Sequence, residues 1–587
     1  MVDLSAAPFH LDADAIRWVE ETIAGMTDEE MIGQLFVNMG SSRDPDYLCG
    51  VLDEFHIAAV RYNPGTAQEV YEQNRVLQEH STIPMLVAAN TEAGGNGACT
   101  DGTYIGWQVK VAATQDPELA YQLGRISGIE AAAIGCNWSF APIVDINRNW
   151  RNPIISVRAW GSDPQQVLDY SLAYMRGIRE SGIAPAAKHF PGDGIDERDQ
   201  HLSSAPNWLS TADWDATFGA VYTGLIEAGL PSIMAGHIAL PAYQKHFNPA
   251  MKDDEILPAT LSREIITDLL RGKLGFNGLV VTDASHMVGM TGVMARRDIL
   301  PTAIEAGCDL FLFFNDPAED FAWMMQGWKS GKLSDARLHD ALRRTLGMKA
   351  MLGLHRTAKT EILRPKEEAM AVIGAAEHRA VAQRVADLGI TLVKNTQQAL
   401  PMSPRKYPRV LVVPVGGPPN PMAIGIHGAG AHPADKLTAR LRARGYDATR
   451  YQTVLDRTKG KSPEEVAAVV MGAYAGKLPI SALTDNYDLV LSVGNVNGLM
   501  QPVERVSWPA TKGTYDIPWY VHEIPTIAIS CASPHMLPDI PQVKTYINCY
   551  DDKDVTLDVL IDKLEGRSPF KGVPTTDVFA GLADTHC

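Results

Sequence analysis

Eight short apolar runs, separated by longer amphipathic stretches, recur up to residue 314 and restrict the fold more than any other feature of this chain. They are GQLFVNM (33–39), IAAVRY (57–62), PMLVAAN (84–90), CNWSFAP (136–142), IAPAAKHF (183–190), PSIMAGHI (231–238), GLVVTDA (278–284) and CDLFLFF (308–314). Runs of this length, bounded by turn residues, read as buried strands. Most of the gaps carry a helical pattern with its own punctuation. DPELAYQLGRISGIEAAAIG and DPQQVLDYSLAYMRGIRESG each open on Asp-Pro and close at Gly, as helix ends prefer. Strand and helix alternating eight times predict an α/β fold, a (β/α)8 TIM-type barrel.

The barrel takes residues 1–355, and the polar stretch HRTAKTEILRPKEE opens a linker and helix over 356–385. A second alternating section fills 386–587, with strands expected at ITLVKN (390–395), VLVVPV (410–415), LVLSVG (489–494), TIAIS (526–530) and VKTYINCY (543–550). With helical stretches near 434–444 and 463–475, it reads as a smaller α/β sandwich domain. A chain of 587 residues calls for more than one domain on length alone.

Charge narrows the partners. The 52 Lys and Arg against 69 Asp and Glu leave a net charge of −17, a field that repels phosphate backbones and anionic lipid. Neither nucleic acid nor a membrane is expected as a partner, and no apolar run approaches the roughly 20 residues that span a bilayer. The seven cysteines are scattered without a CxxC pair, and so read as reduced thiols rather than zinc ligands. The opening MVDLSAAPFHLDADAIRWVEE is acidic where a secretory leader is basic, which points to the cytoplasm. AGKLP (475–479) lacks the glycine spacing and the hydroxyl of a nucleotide-binding loop.

Barrel chemistry collects where the strands end. Those positions hold Arg61, Asn90, Glu92, Asp145, Lys188, His189, His237 and Asp283. The densest polar segment, KHFPGDGIDERDQHL (188–202), follows the fifth run directly. Within it Asp199 and His201 flank one residue, so in an extended loop both point the same way and the carboxylate orients the imidazole. Asp283 is a lone acid closing an apolar strand, costly to bury unless paired or functional. A carboxylate nucleophile with a separate proton donor is the minimum equipment of a retaining glycosidase.

MTDEEMIGQLF, FAPIVDINRNWRNPIISVRAWGSDP, KHFPGDGIDERDQHL, IMAGHI and GLVVTDASHM stand in that order, with ITLVKN opening the second section. Together they resemble glycoside hydrolase family 3. The resemblance implies Asp283 as nucleophile and Arg158, Lys188 and His189 as binders of sugar hydroxyls. His237, ending the sixth run, joins the expected substrate-binding set. The family uses either a glutamate from the second domain as acid/base or an Asp-x-His pair on the barrel loop, as in its N-acetylglucosaminidase branch. This chain carries the pair, Asp199 and His201, while Glu504 in QPVERVSW is the nearest second-domain acid.

Two departures stand out: Asp193 replaces a histidine usual in that branch, and ANTEAGGNGA replaces the usual Asp-containing motif. The grip on distal hydroxyls therefore falls to Glu92, with Asn90 the alternative. The expected partner is a small carbohydrate, a β-N-acetylglucosaminide, a β-glucoside or both. No metal and no cofactor is expected, and inorganic phosphate is a candidate co-substrate, since a neutral imidazole does not repel an anion as a carboxylate base does. Arg198 and the loop GIHGAGAH (425–432) are the candidate anion contacts. Two other readings stay open: a metal-dependent hydrolase using His189, His201 and His237, and a non-catalytic sugar-binding barrel.

Overall fold

The computed structural model describes residues 1–416, 430–476, 478–508 and 514–586. They form two compact units. The first comprises Met1–Ile105, Pro117–Asn149 and Ala159–Val381, and the second comprises Gly106–Asp116, Trp150–Arg158 and the chain from Ala382 on. The division at Val381 falls inside the 356–385 stretch and within the helix Ala376–Gly389. Two short segments from before residue 355 group with the second unit.

Each of the eight apolar runs contains one strand of the first unit: β1 Phe36–Asn38, β2 Ala59–Arg61, β3 Leu86–Ala89, β4 Trp138–Ser139, β5 Ala184–Phe190, β6 Ser232–Ala235, β7 Leu279–Thr282 and β8 Phe311–Leu312. All pair in parallel, in the order β8-β1-β2-β3-β4-β5-β6-β7. Val281 in β7 bridges Leu310 beside β8, and the Thr282 N–H donates to the Leu310 carbonyl at 3.0 Å, joining the two ends of the sheet into a barrel. The Asp-Pro starts behave as expected. Asp163 caps the helix Pro164–Arg179 by accepting from the Gln165 N–H, with Pro164 in the first turn.

The second unit is built on a six-stranded sheet of β9 Thr391–Asn395, β10 Arg409–Val415, β11 Asp447–Arg450, β12 Leu489–Gly494, β13 Thr526–Ser530 and β14 Thr545–Asn548. Its order is β9-β14-β13-β12-β10-β11, parallel except for β9 against β14. Side chains alternate between two cores: Val410, Val412, Leu489 and Leu491 pack with Leu437 and Leu560 of the helices, whereas Leu411, Val413 and Val490 pack with Tyr515 and Tyr520. Apolar cover on both faces explains why the central strands read as unbroken apolar runs. Strand β11 has no such run, because it is an edge strand with only Ala448 buried. Among the described residues no helix is long and apolar enough to cross a membrane.

Burial of charge explains why Gly106–Asp116 joins the second unit. Lys110 is fully buried, its Nζ 2.8 Å from Asp551 Oδ2 and donating to Thr556 Oγ1 at 2.5 Å. Removing one partner of a buried pair leaves the other charge without compensation, at about 3–5 kcal/mol. Lys110→Ala is therefore expected to lower the melting temperature of the second unit by several degrees in calorimetry, far more than the substitution of an exposed lysine such as Lys461.

Candidate active site

Three features bring the polar side chains of the first unit to the carboxyl ends of its strands. The first is an irregularity in β5. Consecutive side chains of a regular strand face opposite ways, but the pairing of β5 with β6 shifts register between Ala187 and Phe190, and such shifts re-aim side chains. Lys188 and His189 both reach carboxylates. Lys188 Nζ lies 2.7 Å from Glu92 Oε1, with both side chains nearly buried. His189 Nδ1 lies 2.7 Å from Asp145 Oδ2, and its Nε2 is 3.9 Å from Asp283 Oδ2. A carboxylate only accepts, so His189 carries its proton on Nδ1. Burial holds the Arg61 guanidinium below its ordinary value, with the charge of Glu92 opposing it.

The second feature is the loop after β5. Asp145 Oδ1 accepts from the backbone N–H groups of His189 at 3.2 Å and Asp193 at 2.7 Å, folding the loop back over β4. Asp193 in turn accepts from the Gly194 N–H at 2.6 Å. Gly194 has φ of +101°, and a Cβ there would lie 2.2 Å from the Ile146 carbonyl oxygen, so only glycine fits. Farther along, Asp199 Oδ1 accepts from the His201 backbone N–H at 2.8 Å and lies 2.6 Å from His201 Nδ1. The Asp199 side chain is fully buried, while the His201 ring keeps partial access to solvent. Nδ1 thus carries the proton facing Asp199, and Nε2 is left on the far side of the ring for chemistry.

Gln200, between the two, fixes this loop to the neighbouring strands. Its Oε1 accepts from the His237 backbone N–H at 2.7 Å, and its carbonyl accepts from the Gly289 N–H at 3.0 Å. The His201 carbonyl accepts from the Val288 N–H at 3.1 Å. A Cβ on Gly289 would come 2.7 Å from the Gln200 carbonyl oxygen.

The third feature is the environment of Asp283. Burial pushes its carboxyl up, but the nearby His189 and His201 and the Ala284 N–H together hold it below the usual carboxylate range. It is a buried acid that stays ionised.

The model of the glycosyl hydrolase family 3 N terminal domain matches residues 27–348. The chain belongs to glycosyl hydrolase family 3. It is 39% identical to a beta-N-acetylglucosaminidase/beta-glucosidase of Cellulomonas fimi over 587 residues, covering 100% of both chains. Among solved structures it is similar to the beta-glucoside phosphorylase BglX, with a TM-score of 0.89, 37% identity and 99% of each chain covered. Its fold is also that of a family 3 beta-N-acetylglucosaminidase from Paenibacillus sp. str. FPU-7, with a TM-score of 0.77, 24% identity, and 94% of this chain and 99% of that one covered.

In this family 3 chain, Glu92, Lys188, His189, Asp199, His201, His237 and Asp283 all lie in the first unit. Arg158 lies in the second, at the end of Trp150–Arg158, where its backbone N–H donates to the Ile155 carbonyl at 2.7 Å. Arg198, expected as an anion contact, bonds Asp196 through Nε and Nη2 at 2.7 and 2.9 Å. Residues 425–429 of GIHGAGAH lie outside the described residues. Glu504 is buried within the second unit, where its carboxyl accepts from Ser533 Oγ at 2.8 Å and the Gly498 N–H at 3.3 Å. Burial pushes that carboxyl up to about 8 against these bonds. Among the described residues no group of three or more His, Cys, Asp or Glu is placed to hold a metal.

His237, expected as a substrate contact, has protein partners on both ring nitrogens. Its Nε2 donates to the Ala284 carbonyl at 3.0 Å, just after Asp283, and its Nδ1 accepts from Thr260 Oγ1 at 2.9 Å. This pairing and that of Gln200 had no sequence signal, because their partners lie on other strands.

Burial lowers the His237 imidazole from 6.5 to about 4, with Asp283 opposing. The unfolded chain therefore binds this proton first, so the associated stability is complete above about pH 6.5 and is lost as pH falls to about 4. The loss is about 3 kcal/mol. His237→Gln is expected to flatten the dependence of thermal stability on pH between 6.5 and 4, as read by calorimetry.

Proposed function

We propose that this chain cleaves terminal β-glycosides, glucosides and N-acetylglucosaminides, with retention of configuration, through a glycosyl ester on Asp283, and that inorganic phosphate takes up the sugar in the second step. The observation that carries the reading is the oriented pair at the barrel mouth: His201 held through Nδ1 by Asp199, with the ionised Asp283 within its electrostatic reach. The activities of the similar Cellulomonas fimi enzyme, a beta-N-acetylglucosaminidase/beta-glucosidase, and of BglX, a beta-glucoside phosphorylase, support the donor and acceptor classes respectively.

In the first step an Asp283 oxygen attacks the anomeric carbon, the bond from that carbon to the leaving oxygen breaks, and His201 Nε2–H protonates the departing oxygen. The ring is then neutral. In the second step its Nε2 lone pair takes a proton from the acceptor, whose oxygen attacks the anomeric carbon and frees the Asp283 carboxylate. Asp199 stabilises the imidazolium in both directions without itself taking the proton. A glutamate at the same place would be anionic when phosphate arrives. Two unit charges at 4 Å differ by about 4 kcal/mol at an effective dielectric of 20, so exchanging the carboxylate for an imidazole opens the site to a dianion. Glu92, Lys188 and His189 supply the mixed donors and acceptors that sugar hydroxyls require.

Asp283→Asn is expected to lower kcat by roughly three orders of magnitude or more, and a 2-fluoro glycoside should label the peptide containing Asp283 in the wild type. Labelling of another peptide removes Asp283 from the nucleophile role. His201→Ala should slow alkyl β-glycosides by about 10²–10⁴-fold, while dinitrophenyl glycosides, which leave without a proton, lose far less in their first step. Equal losses reassign the acid. With 4-nitrophenyl β-glucoside or its 2-acetamido analogue, phosphate should raise turnover and appear as a β-linked sugar 1-phosphate, since two inversions restore the starting configuration. Free sugar alone at saturating phosphate makes the enzyme a hydrolase.

A further inference from the structure

The two sides of the site differ in chemistry. On the sugar side the groups are charged and hydrogen-bonding, with the Lys188–Glu92 pair and the His189–Asp145 pair. Around the proton donor exposed apolar side chains stand among the polar ones of the loop, Glu197, Arg198 and Ser204. Leu202 follows His201 in the chain and is 42% exposed, and Val288, whose N–H donates to the His201 carbonyl, is 45% exposed. On the same loop Trp208 is 61% exposed while its indole N–H is fixed at 2.9 Å to Asp196 Oδ2, which leaves the ring as a held, open plane. Beyond Asp283 the exposed His286 ring stacks on Phe313 at 6.4 Å and an interplanar angle of 15°.

We propose that Leu202, Trp208, Val288 and the His286 ring form the leaving-group side of the site and select aryl or alkyl aglycones over sugars. The proposal rests on the reading that His201 protonates the leaving oxygen. A general acid must lie within hydrogen-bond reach of the oxygen it protonates, so whatever adjoins His201 meets the aglycone. A sugar placed there would set hydroxyls against Leu202 and Val288, where they find no partner, and that costs free energy. The neighbouring guanidinium of Arg198 is already matched by Asp196. An apolar aglycone instead gains by covering side chains that otherwise face water. The same surface is compatible with phosphate as acceptor, because the small anion needs only the place of the departed oxygen beside His201 and not the surface beyond it.

By microscopic reversibility an acceptor alcohol occupies the side the aglycone leaves from, so the partition of the glycosyl enzyme reads this surface directly. The full chain is incubated without phosphate with 4-nitrophenyl β-glucoside, or its 2-acetamido analogue, and equal concentrations of 2-phenylethanol and methyl α-glucoside, and both transfer products are quantified. The wild type is expected to favour the phenylethyl product by about tenfold. In Leu202→Asn and Val288→Asn that ratio should fall several-fold, and because it is measured on turnover it reports only folded enzyme. A wild-type ratio at or below one, transfer to neither alcohol, or ratios unmoved in both variants overturns the proposal. A chain that releases no nitrophenolate from either donor sinks the glycosidase reading itself, and this proposal with it.

Discussion

A carboxylate buried at the end of an apolar strand keeps its charge only if its surroundings supply compensation, and Asp283 is that carboxylate. Desolvation alone would push it toward the neutral acid, which is no nucleophile. The charges of His189 and His201 and one backbone N–H oppose it, and the carboxyl lies below its ordinary value. Each imidazole is held in turn: His189 by Asp145, His201 by Asp199, and His237 between Thr260 and the Ala284 carbonyl. The polar architecture of the barrel mouth is the support of one negative charge.

The same support holds the proton donor proposed here. Asp199 occupies Nδ1 of His201 and leaves Nε2 for the two proton transfers proposed for it, while Gln200 and the carbonyl of His201 bind the loop to the segments after β6 and β7. Loops are the more mobile parts of a barrel, and this one is made part of the scaffold by bonds to backbone groups on two neighbouring elements. A side chain that must donate in one step and accept in the next gains from such fixation, since the geometry required is the same in both.

The second unit shows how differently an acid fares without that compensation. Glu504 is as buried as Asp283, but neutral hydroxyls and an amide are its partners, and burial prevails. Its sequence surroundings made it a rival for the proton-donor role. In the folded unit it is bonded to Ser533 and Gly498, whereas Asp199 and His201 are an oriented pair.

The sequence alone determined the eight barrel strands, because a strand buried on both faces must be an apolar run and nothing else in the chain imitates eight of them between capped helices. It pointed to the Asp199-x-His201 pair for an equally local reason, although the pair sits in a turn, where the Leu202 and Ser203 N–H groups donate to the Asp199 carbonyl, and not on the extended loop expected. It missed β11, whose polar edge position needs no apolar run, and it assigned Gly106–Asp116 and Trp150–Arg158 by chain order, whereas burial of Lys110 against Asp551 groups the first with the distant second unit. Only the tertiary structure decided that both His237 nitrogens are engaged within the protein, that Arg198 is matched by Asp196, and that Asp283 remains ionised. Each of these depends on which groups meet across separate elements or on how deeply they are buried, and neither is a property of the order of residues along the chain.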